Sequence, residues 1–217
     1  MKNSWNSRWQ EGKIAFHNSN VHSDLLTYKS FLEDGPHRVL VPLCGKSVDM
    51  IWLAEQGHEV VGVELVPLAV EQFFTDPYFS DKGLSPEIQE QGAMQVYRAG
   101  SITILCGDVF DVDQSHIGDI DRVWDRAALV ALPPELRSSY VSQLRSIALD
   151  NARFMINVFR YDTTLMGGPP HSISDEEIQG YFSGRVLSLL NEQEKISDYP
   201  LFKERGHRYW NVCTYSA

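Results

Sequence analysis

Residues 38–64 constrain the fold of this chain more than any other stretch. Residues 39–43 form a short apolar run of the kind found in strands that are buried on both faces. Gly45 then permits a sharp turn, and apolar residues recur at helical spacing up to Gly57, which is expected to end a helix. Residues 59–63 form a second apolar run. The pattern predicts a βαβ unit, in which a crossover joins two parallel strands.

Acidic residues follow two of the predicted strands. Glu64 ends the second strand, where an acid about 20 residues after a glycine turn can accept hydrogen bonds from ribose hydroxyls. Asp108 follows a later strand in the same way. The turn lacks the dinucleotide pattern G-x-G-x-x-G, and Leu40 stands where a P-loop needs its first glycine. A nucleoside cofactor without phosphates, such as S-adenosylmethionine, therefore suits the unit. The alternative is a βαβ unit that binds no nucleotide and leaves Glu64 in solvent.

Composition limits the partners of the chain. Its 217 residues suffice for one α/β domain, and a net charge of −10 argues against binding a nucleic-acid backbone. Residues 1–16 contain no apolar signal segment, and no apolar run approaches the roughly 18 residues of a membrane span. The three cysteines are too widely separated to suggest disulfides or a metal site. We expect a cytoplasmic, monomeric, single-domain protein (residues 1–217) without a metal.

Strands and helices alternate along the rest of the chain. Apolar spacing and capping signals predict helices over 21–32, 67–74, 133–147 and 174–182, and strands over 95–99, 102–106, 120–124, 153–159, 186–194 and 208–214. Residues 75–92 are expected to be irregular with at most a short helix, and 160–173 to be a loop. The order predicts a doubly wound, mostly parallel sheet with an antiparallel strand near the C-terminus.

The first 20 residues form an aromatic arm. Trp5, Trp9 and Phe16 stand among polar residues, and Gly12 weakens any helix there. Aromatic side chains on a polar arm either dock the arm on the core or cover a ligand.

Several short motifs resemble a known family. They are Trp5-x-x-x-Trp9, Ala15-Phe16-His17, Pro42-Leu-Cys-Gly-Lys46, Val60-Val-Gly-Val-Glu64 and Trp124-Asp-Arg126. In this order and spacing they resemble the thiopurine S-methyltransferase family, in its bacterial form, over essentially the whole chain. The resemblance implies a class I S-adenosylmethionine-dependent methyltransferase fold. That fold has a seven-stranded, mostly parallel sheet with helices on both faces, and S-adenosylmethionine would be the methyl donor.

The resemblance also implies roles for individual residues. The arm, residues 1–20, would lie over the cofactor as a lid. Cofactor contacts are implied for Trp5, Trp9, Phe16, Leu43, Glu64, Asp108, Val109 and Arg126. Among them, Leu43 would present its backbone to the methionine part, Glu64 would bind the ribose, and Asp108 with Val109 would face the adenine edge. Substrate contacts are implied for Phe16, Arg126 and Arg205, and the two arginines would act in catalysis.

Some of these roles have structural alternatives. Arg126 could pair with Asp125, Arg205 could form a surface ion pair, and His17 is as consistent with a structural role as with a position near the substrate. Some family members carry a hydroxyl residue where this chain has Asp108.

The implied reaction is methyl transfer to an aromatic or heterocyclic thiol. The protein would position the reactants and exclude water, and an arginine would stabilise the thiolate. Four alternatives remain open. They are an N-methyltransferase of small amines, methylation of reduced selenium, tellurium or sulfur compounds, a module that binds S-adenosylmethionine without catalysis, and an interaction protein without cofactor.

Overall fold

The computed structural model describes residues 2–164, 166–196 and 209–217. The chain forms two compact units, one of residues 1–123 and 147–152 and the other of residues 124–146 and 153–217. The helices are α1 (Lys2–Gln10), α2 (Ser23–Thr27), α3 (Val48–Glu55), α4 (Pro67–Phe73), α5 (Pro77–Asp81), α6 (Gln114–Ile117), α7 (Pro134–Ile147) and α8 (Asp175–Tyr181). The strands are β1 (Arg38–Pro42), β2 (Glu59–Glu64), β3 (Glu87–Gln91), β4 (Met94–Ala99), β5 (Ile102–Cys106), β6 (Ile120–Arg126), β7 (Ala148–Arg160), β8 (Ser188–Ile196) and β9 (Tyr209–Ser216).

The first unit is built on four parallel strands in the order β5-β2-β1-β6. Its βαβ prediction is confirmed, since β1 pairs with β2 in parallel and α3 lies between them in the chain. Ser47 begins α3, because its hydroxyl accepts a hydrogen bond from the Asp49 N–H at 3.3 Å. The edge of this unit is antiparallel, with β4 next to β5 and β3 outermost.

Close packing on β2 explains one glycine of the family motif. A Cβ atom on Gly62 would lie 2.7 Å from Cys44 Sγ and 3.0 Å from Met50 Sδ, so no larger residue fits. Cys44 is itself buried, as are Cys106 and Cys213. The interpretation of the cysteines as small buried residues is therefore confirmed. Burial is also the main cause that raises the pKa of the Cys44 thiol well above its usual value, and the nearby Glu64 raises it further.

The second unit is antiparallel, with β9 between β7 and β8. The C-terminal residue closes this arrangement, since Ala217 and Phe154 exchange two backbone hydrogen bonds of 2.8 and 3.0 Å. The helix start predicted at residue 174 is confirmed, because the Ser174 hydroxyl accepts from the Glu177 N–H at 3.1 Å and so caps α8. Phe154 also contacts Phe182 edge-on, with 5.4 Å between ring centres.

The expected count of seven strands was wrong, since the described residues contain nine. The strand that sequence patterns missed is β3, in the segment predicted to be irregular. Four of its five residues are exposed, so the alternation of apolar and polar residues that marks a half-buried strand is absent. The short helix allowed in that segment is α5.

Three other elements differ from expectation. The helix predicted over 21–32 is broken at Tyr28, whose φ and ψ of −97° and 53° separate α2 from a 3-10 turn at Lys29–Phe31. The arm forms the helix α1 despite the expectation that Gly12 would weaken it, because Gly12 stands beyond its last residue, at φ +68°. Strand β6 extends to Arg126, so this arginine is its last residue.

Within the described part of the chain, no helix has the length and apolar character needed to cross a bilayer.

Candidate active site

The first part of the site is the Glu64 carboxylate at the end of β2. It is buried, so the alternative of a solvated Glu64 is wrong. Its Oε2 accepts a hydrogen bond from the Gly45 N–H and its Oε1 from the Val66 N–H, both at 2.8 Å. One carboxylate therefore joins the turn after β1 to the turn after β2. Burial raises the pKa of this carboxyl, and the backbone N–H donors oppose that shift.

Glu64 retains capacity to bind a further donor. An ionised carboxylate offers about four lone-pair sites. The Gly45 and Val66 N–H groups occupy one on each oxygen, and the Leu65 N–H also favours the charged form. A pair of ribose hydroxyls could use the remaining sites. The carboxylate fits the predicted nucleoside on chemical grounds, and its two backbone bonds fix its orientation before any ligand arrives.

The turn between β1 and α3 has an unusual backbone. Gly45 has φ +54°, which glycine adopts readily, and Leu43 has φ +47°, which a leucine adopts only at a cost. Strained backbone of this kind is held only where the surroundings enforce it, and it clusters at ligand sites. The conformation agrees with the prediction that the Leu43 backbone contacts the cofactor, which stays a prediction.

The aromatic arm lies against this same turn. Trp9 is buried with Val66 and Ala69, and its ring lies 3.2 Å from the position of a Cβ atom on Gly45. Phe16 meets both tryptophans edge-on, with 5.8 Å between ring centres in each case. Phe16 remains 37% exposed. The arm is thus docked through Trp9, and Phe16 keeps an open face that could contact a ligand.

Lys46 reinforces the docking of the arm and was not predicted to do so. Its Nζ lies 6.0 Å from the centre of the Trp9 ring and donates to Gln72 Oε1 at 2.9 Å. The lysine therefore connects the arm, the turn after β1 and helix α4. In the sequence it was visible only as part of an incomplete P-loop pattern.

The second acid, Asp108, follows β5 as predicted. Strands β5 and β2 are parallel neighbours with Cys106 beside Glu64, and the Gly107 N–H donates to the Glu64 carbonyl at 2.9 Å. The two acids therefore follow adjacent strand ends. Asp108 is exposed, and its Oδ1 accepts from the Phe110 N–H at 3.1 Å. This bond starts a 3-10 turn that buries Val109. The adenine contacts of Asp108 and Val109 stay predictions.

In the second unit, a buried carboxylate, Asp125, lies one residue before the end of β6. Asp125 Oδ1 accepts from the Ala128 and Leu129 N–H groups at 3.2 and 3.0 Å, and its Oδ2 accepts from the Tyr140 hydroxyl at 2.8 Å. Burial raises the pKa of Asp125 to about 6, although all three donors oppose the shift. Arg126, the next residue, is half-buried.

The loop after β7 folds back on its own unit. The Tyr161 hydroxyl donates to the Pro170 carbonyl at 2.5 Å, and the Tyr161 N–H donates to the Ser172 hydroxyl at 2.9 Å. The His171 N–H donates to the Val130 carbonyl at 2.7 Å. Burial lowers the pKa of His171, and the cation of Arg137 lowers it further, so the charged form of this histidine is disfavoured. Composition alone predicted the loop, but not these contacts.

The remaining predicted residue, Arg205, lies outside the described residues, as does the segment around it. His17 is half-buried, and its N–H donates to the Ile14 carbonyl at 2.8 Å. Among the side chains that the structure describes, no three His, Cys, Asp or Glu residues form a group able to hold a metal ion.

Solved structures with a similar fold are methyltransferases. Magnesium protoporphyrin IX methyltransferase from Synechocystis, crystallised with S-adenosylhomocysteine, matches 99% of this chain and 98% of its own, with a TM-score of 0.65 and 14% identity. The 1,6-didemethyltoxoflavin-N1-methyltransferase of Burkholderia thailandensis, also with S-adenosylhomocysteine, matches 99% of this chain and 86% of its own, with a TM-score of 0.62 and 17% identity. The fold is that of the class I S-adenosylmethionine-dependent methyltransferases.

Sequence comparison narrows the class. The family model of thiopurine S-methyltransferase matches residues 1–215. A thiopurine S-methyltransferase of Bordetella petrii is 42% identical over 213 residues, which cover 97% of this chain and 95% of the relative. One from Pseudomonas putida is 41% identical over 203 residues, covering 93% and 92%. The chain belongs to the thiopurine S-methyltransferase family, and S-adenosylmethionine is the cofactor of that family.

Proposed function

We propose that this protein transfers the methyl group of S-adenosylmethionine to the sulfur of an aromatic or heterocyclic thiol. The observation that carries the proposal is the Glu64 carboxylate, which is fixed by two backbone N–H groups and still able to accept two hydroxyls. The names of the relatives point to thiols as acceptors.

The cofactor would be bound by residues at the ends of β1, β2 and β5. Glu64 accepts the ribose hydroxyls, the Leu43 backbone contacts the methionine part, and Asp108 with Val109 faces the adenine. Arg126, the last residue of β6, contacts the cofactor as well as the acceptor. The arm, with Trp5, Trp9 and Phe16, covers the bound molecule. Its support is the position of Trp9 on the Gly45 turn and the exposed face of Phe16.

The acceptor would be held by Phe16, Arg126 and Arg205. S-adenosylmethionine supplies an electrophilic methyl group, so the chain needs to supply orientation and a dry environment rather than a strong base. Aromatic thiols are already acidic, and their proton is released to solvent. A guanidinium stabilises the resulting thiolate, which is the charge that Arg126 and Arg205 contribute. The flat face of Phe16 favours a planar acceptor.

The remaining properties follow the composition and the family. We propose that residues 1–217 form one functional domain that works as a cytoplasmic monomer. A net charge of −10 opposes nucleic-acid binding, and the substrate is a small molecule.

A substrate panel with a radiolabelled methyl donor tests the proposal. The expected result is transfer to thiophenols and heterocyclic thiols, with little transfer to aliphatic amines of similar size. Transfer to amines alone would overturn the assignment to thiols. Cofactor binding without transfer to any thiol, amine, selenide or telluride would indicate a binding module.

A further inference from the structure

The buried carboxylate of Asp125 has no role in the function proposed above. It lies one residue before Arg126 at the end of β6 and is 2% exposed. Successive residues of a strand point to opposite faces. Asp125 and Arg126 therefore project to different sides, and Asp125 does not reach the ligand side on which Arg126 is proposed to act.

The hydrogen bonds of Asp125 connect it to residues beyond a strained position, Ala127. Its Oδ1 accepts from the N–H groups of Ala128 and Leu129 at 3.2 and 3.0 Å. These donors lie three and four residues further along, so the carboxylate closes a loop around Arg126 and Ala127. Ala127 has φ +62°, in the left-handed region that alanine rarely adopts. A conformation of this kind persists only where neighbouring bonds enforce it.

Tyr140 fixes the other oxygen of the same carboxylate. Its hydroxyl donates to Asp125 Oδ2 at 2.8 Å, and its side chain is fully buried on α7. The aspartate is therefore held at both oxygens, by a helix on one side and by the turn on the other. Burial, and then the charge of Asp125, raise the pKa of Tyr140 well above its usual value, which favours the protonated hydroxyl that donates to the carboxylate.

We propose that Asp125, oriented by Tyr140, is a positioning residue for Arg126. The carboxylate stabilises the left-handed turn at Ala127, and this turn sets the direction in which the Arg126 side chain leaves the strand. The inference rests on the proposed function in one respect, the contact of Arg126 with the cofactor. It adds that the contact depends on a carboxylate that touches neither cofactor nor substrate.

A double-mutant cycle on cofactor affinity tests this role. S-adenosylmethionine binding is measured by calorimetry for the unmodified protein, Asp125→Asn, Arg126→Ala and the double variant. Asparagine keeps the shape of the side chain, but it replaces one carboxylate oxygen with an NH2 group and removes the charge. The turn and the Tyr140 hydroxyl therefore no longer share a charged acceptor, and the hold on the turn is weakened. The expected loss of affinity for Asp125→Asn is on the order of 10-fold, the lower end of what losing one charged hydrogen bond to the cofactor would cost.

The decisive comparison is made in the Arg126→Ala background. There, Asp125→Asn is expected to change affinity by less than about 2-fold, because the group that it positions is gone. An equal loss in both backgrounds would overturn the proposal, and so would unchanged affinity of Asp125→Asn in the unmodified background. A role in stability alone would lower the melting temperature of all Asp125 variants without this dependence on Arg126.

Two further variants keep the test interpretable. Tyr140→Phe removes one bond to Asp125 but leaves the bonds to the turn, so it is expected to show the same dependence on Arg126 with a smaller loss. It also replaces Asp125→Asn if that variant does not fold. Asp121→Asn makes the same chemical change near the other end of β6 and is expected to show no dependence on Arg126.

The positioning role and the proposed function can be refuted independently of each other. The cycle reports cofactor binding, and the substrate panel reports the acceptor. Transfer to amines instead of thiols would refute the proposed function and leave the cycle valid. Thiol methylation without coupling between Asp125 and Arg126 would refute only the positioning role.

Discussion

Replacing Glu64 with glutamine tests whether one carboxylate both joins two turns and binds the cofactor. Glutamine has the same shape, but its amide offers one oxygen and one NH2 group. The two backbone donors, Gly45 N–H and Val66 N–H, each lie 2.8 Å from a different carboxylate oxygen. The amide oxygen can accept from one of them, and the NH2 group then faces the other, which is left without an acceptor.

The stability loss can be worked out from these contacts. A buried N–H left without a partner costs about 1–3 kcal/mol, and the surviving bond is weakened because its acceptor is no longer charged. Part of this loss of stability is offset, because a neutral amide avoids the free-energy cost of burying a charge, which is also what raises the pKa of Glu64. The net expectation is about 2 kcal/mol, which for a chain of this size is a shift of about 4–8 °C in melting temperature.

The affinity loss has a separate origin. An ionised carboxylate that accepts ribose hydroxyls contributes about 1.5–3 kcal/mol, so S-adenosylmethionine binding should weaken between about 10-fold and 150-fold. Thermal unfolding and calorimetry measure the two effects. Glu59→Gln is the matched control, because Glu59 lies at the other end of β2 in a surface pair with Arg38. It should change stability by less than about 1 kcal/mol and leave affinity unchanged. Unchanged stability of Glu64→Gln would refute the claim that this carboxylate stabilises the two turns, and unchanged affinity would remove Glu64 from the cofactor site.

Three further variants have distinct expected outcomes. Phe16→Ala should weaken cofactor binding several-fold while lowering the melting temperature by only a few degrees, because the ring is 37% exposed. If Phe16 only docked the arm on the core, calorimetry would instead show a large loss of stability. Arg126→Ala should lower kcat/KM most for the least acidic thiols in a series of graded pKa, and a uniform loss would contradict thiolate stabilisation. The pKa of His58 is lowered by burial and by His37, so stability is complete above about pH 6.5 and falls as the pH drops towards the folded pKa. His58→Gln should flatten this dependence in urea unfolding between pH 5 and 8, and an unchanged slope would assign it to another group.

The parts of the fold that could be predicted are those with a local pattern. The βαβ unit was readable because both strands are continuous apolar runs and Gly45 separates the first from a helix. Both strand-end acids, Glu64 and Asp108, were located for the same reason. Strand β3 has exposed residues along most of its length, and its pairing with β4 leaves no periodic mark in the sequence.

The site was predictable in its residues but not in its contacts. The donors to Glu64 are backbone N–H groups, which every residue except proline carries, so no residue type signals them. Leu43 and Ala127 have positive φ without being glycine, and sequence rules assign such conformations to glycine. Asp125 was visible in the motif at residues 124–126, but its partner Tyr140 is separated from it by a turn and part of a helix.

The burial of Cys44 has a chemical consequence for an enzyme that handles an electrophilic methyl donor. Cys44 is the neighbour of Gly45, in the turn proposed to contact that donor, and its side chain would be the first sulfur available for self-alkylation. Only the thiolate is a good nucleophile. Burial and the negative charge of Glu64 keep this sulfur protonated, and its packing against Gly62 hides it. Burial, helped by the same carboxylate that is proposed to hold the ribose, thus disfavours the thiolate form of Cys44 that the methyl donor could alkylate.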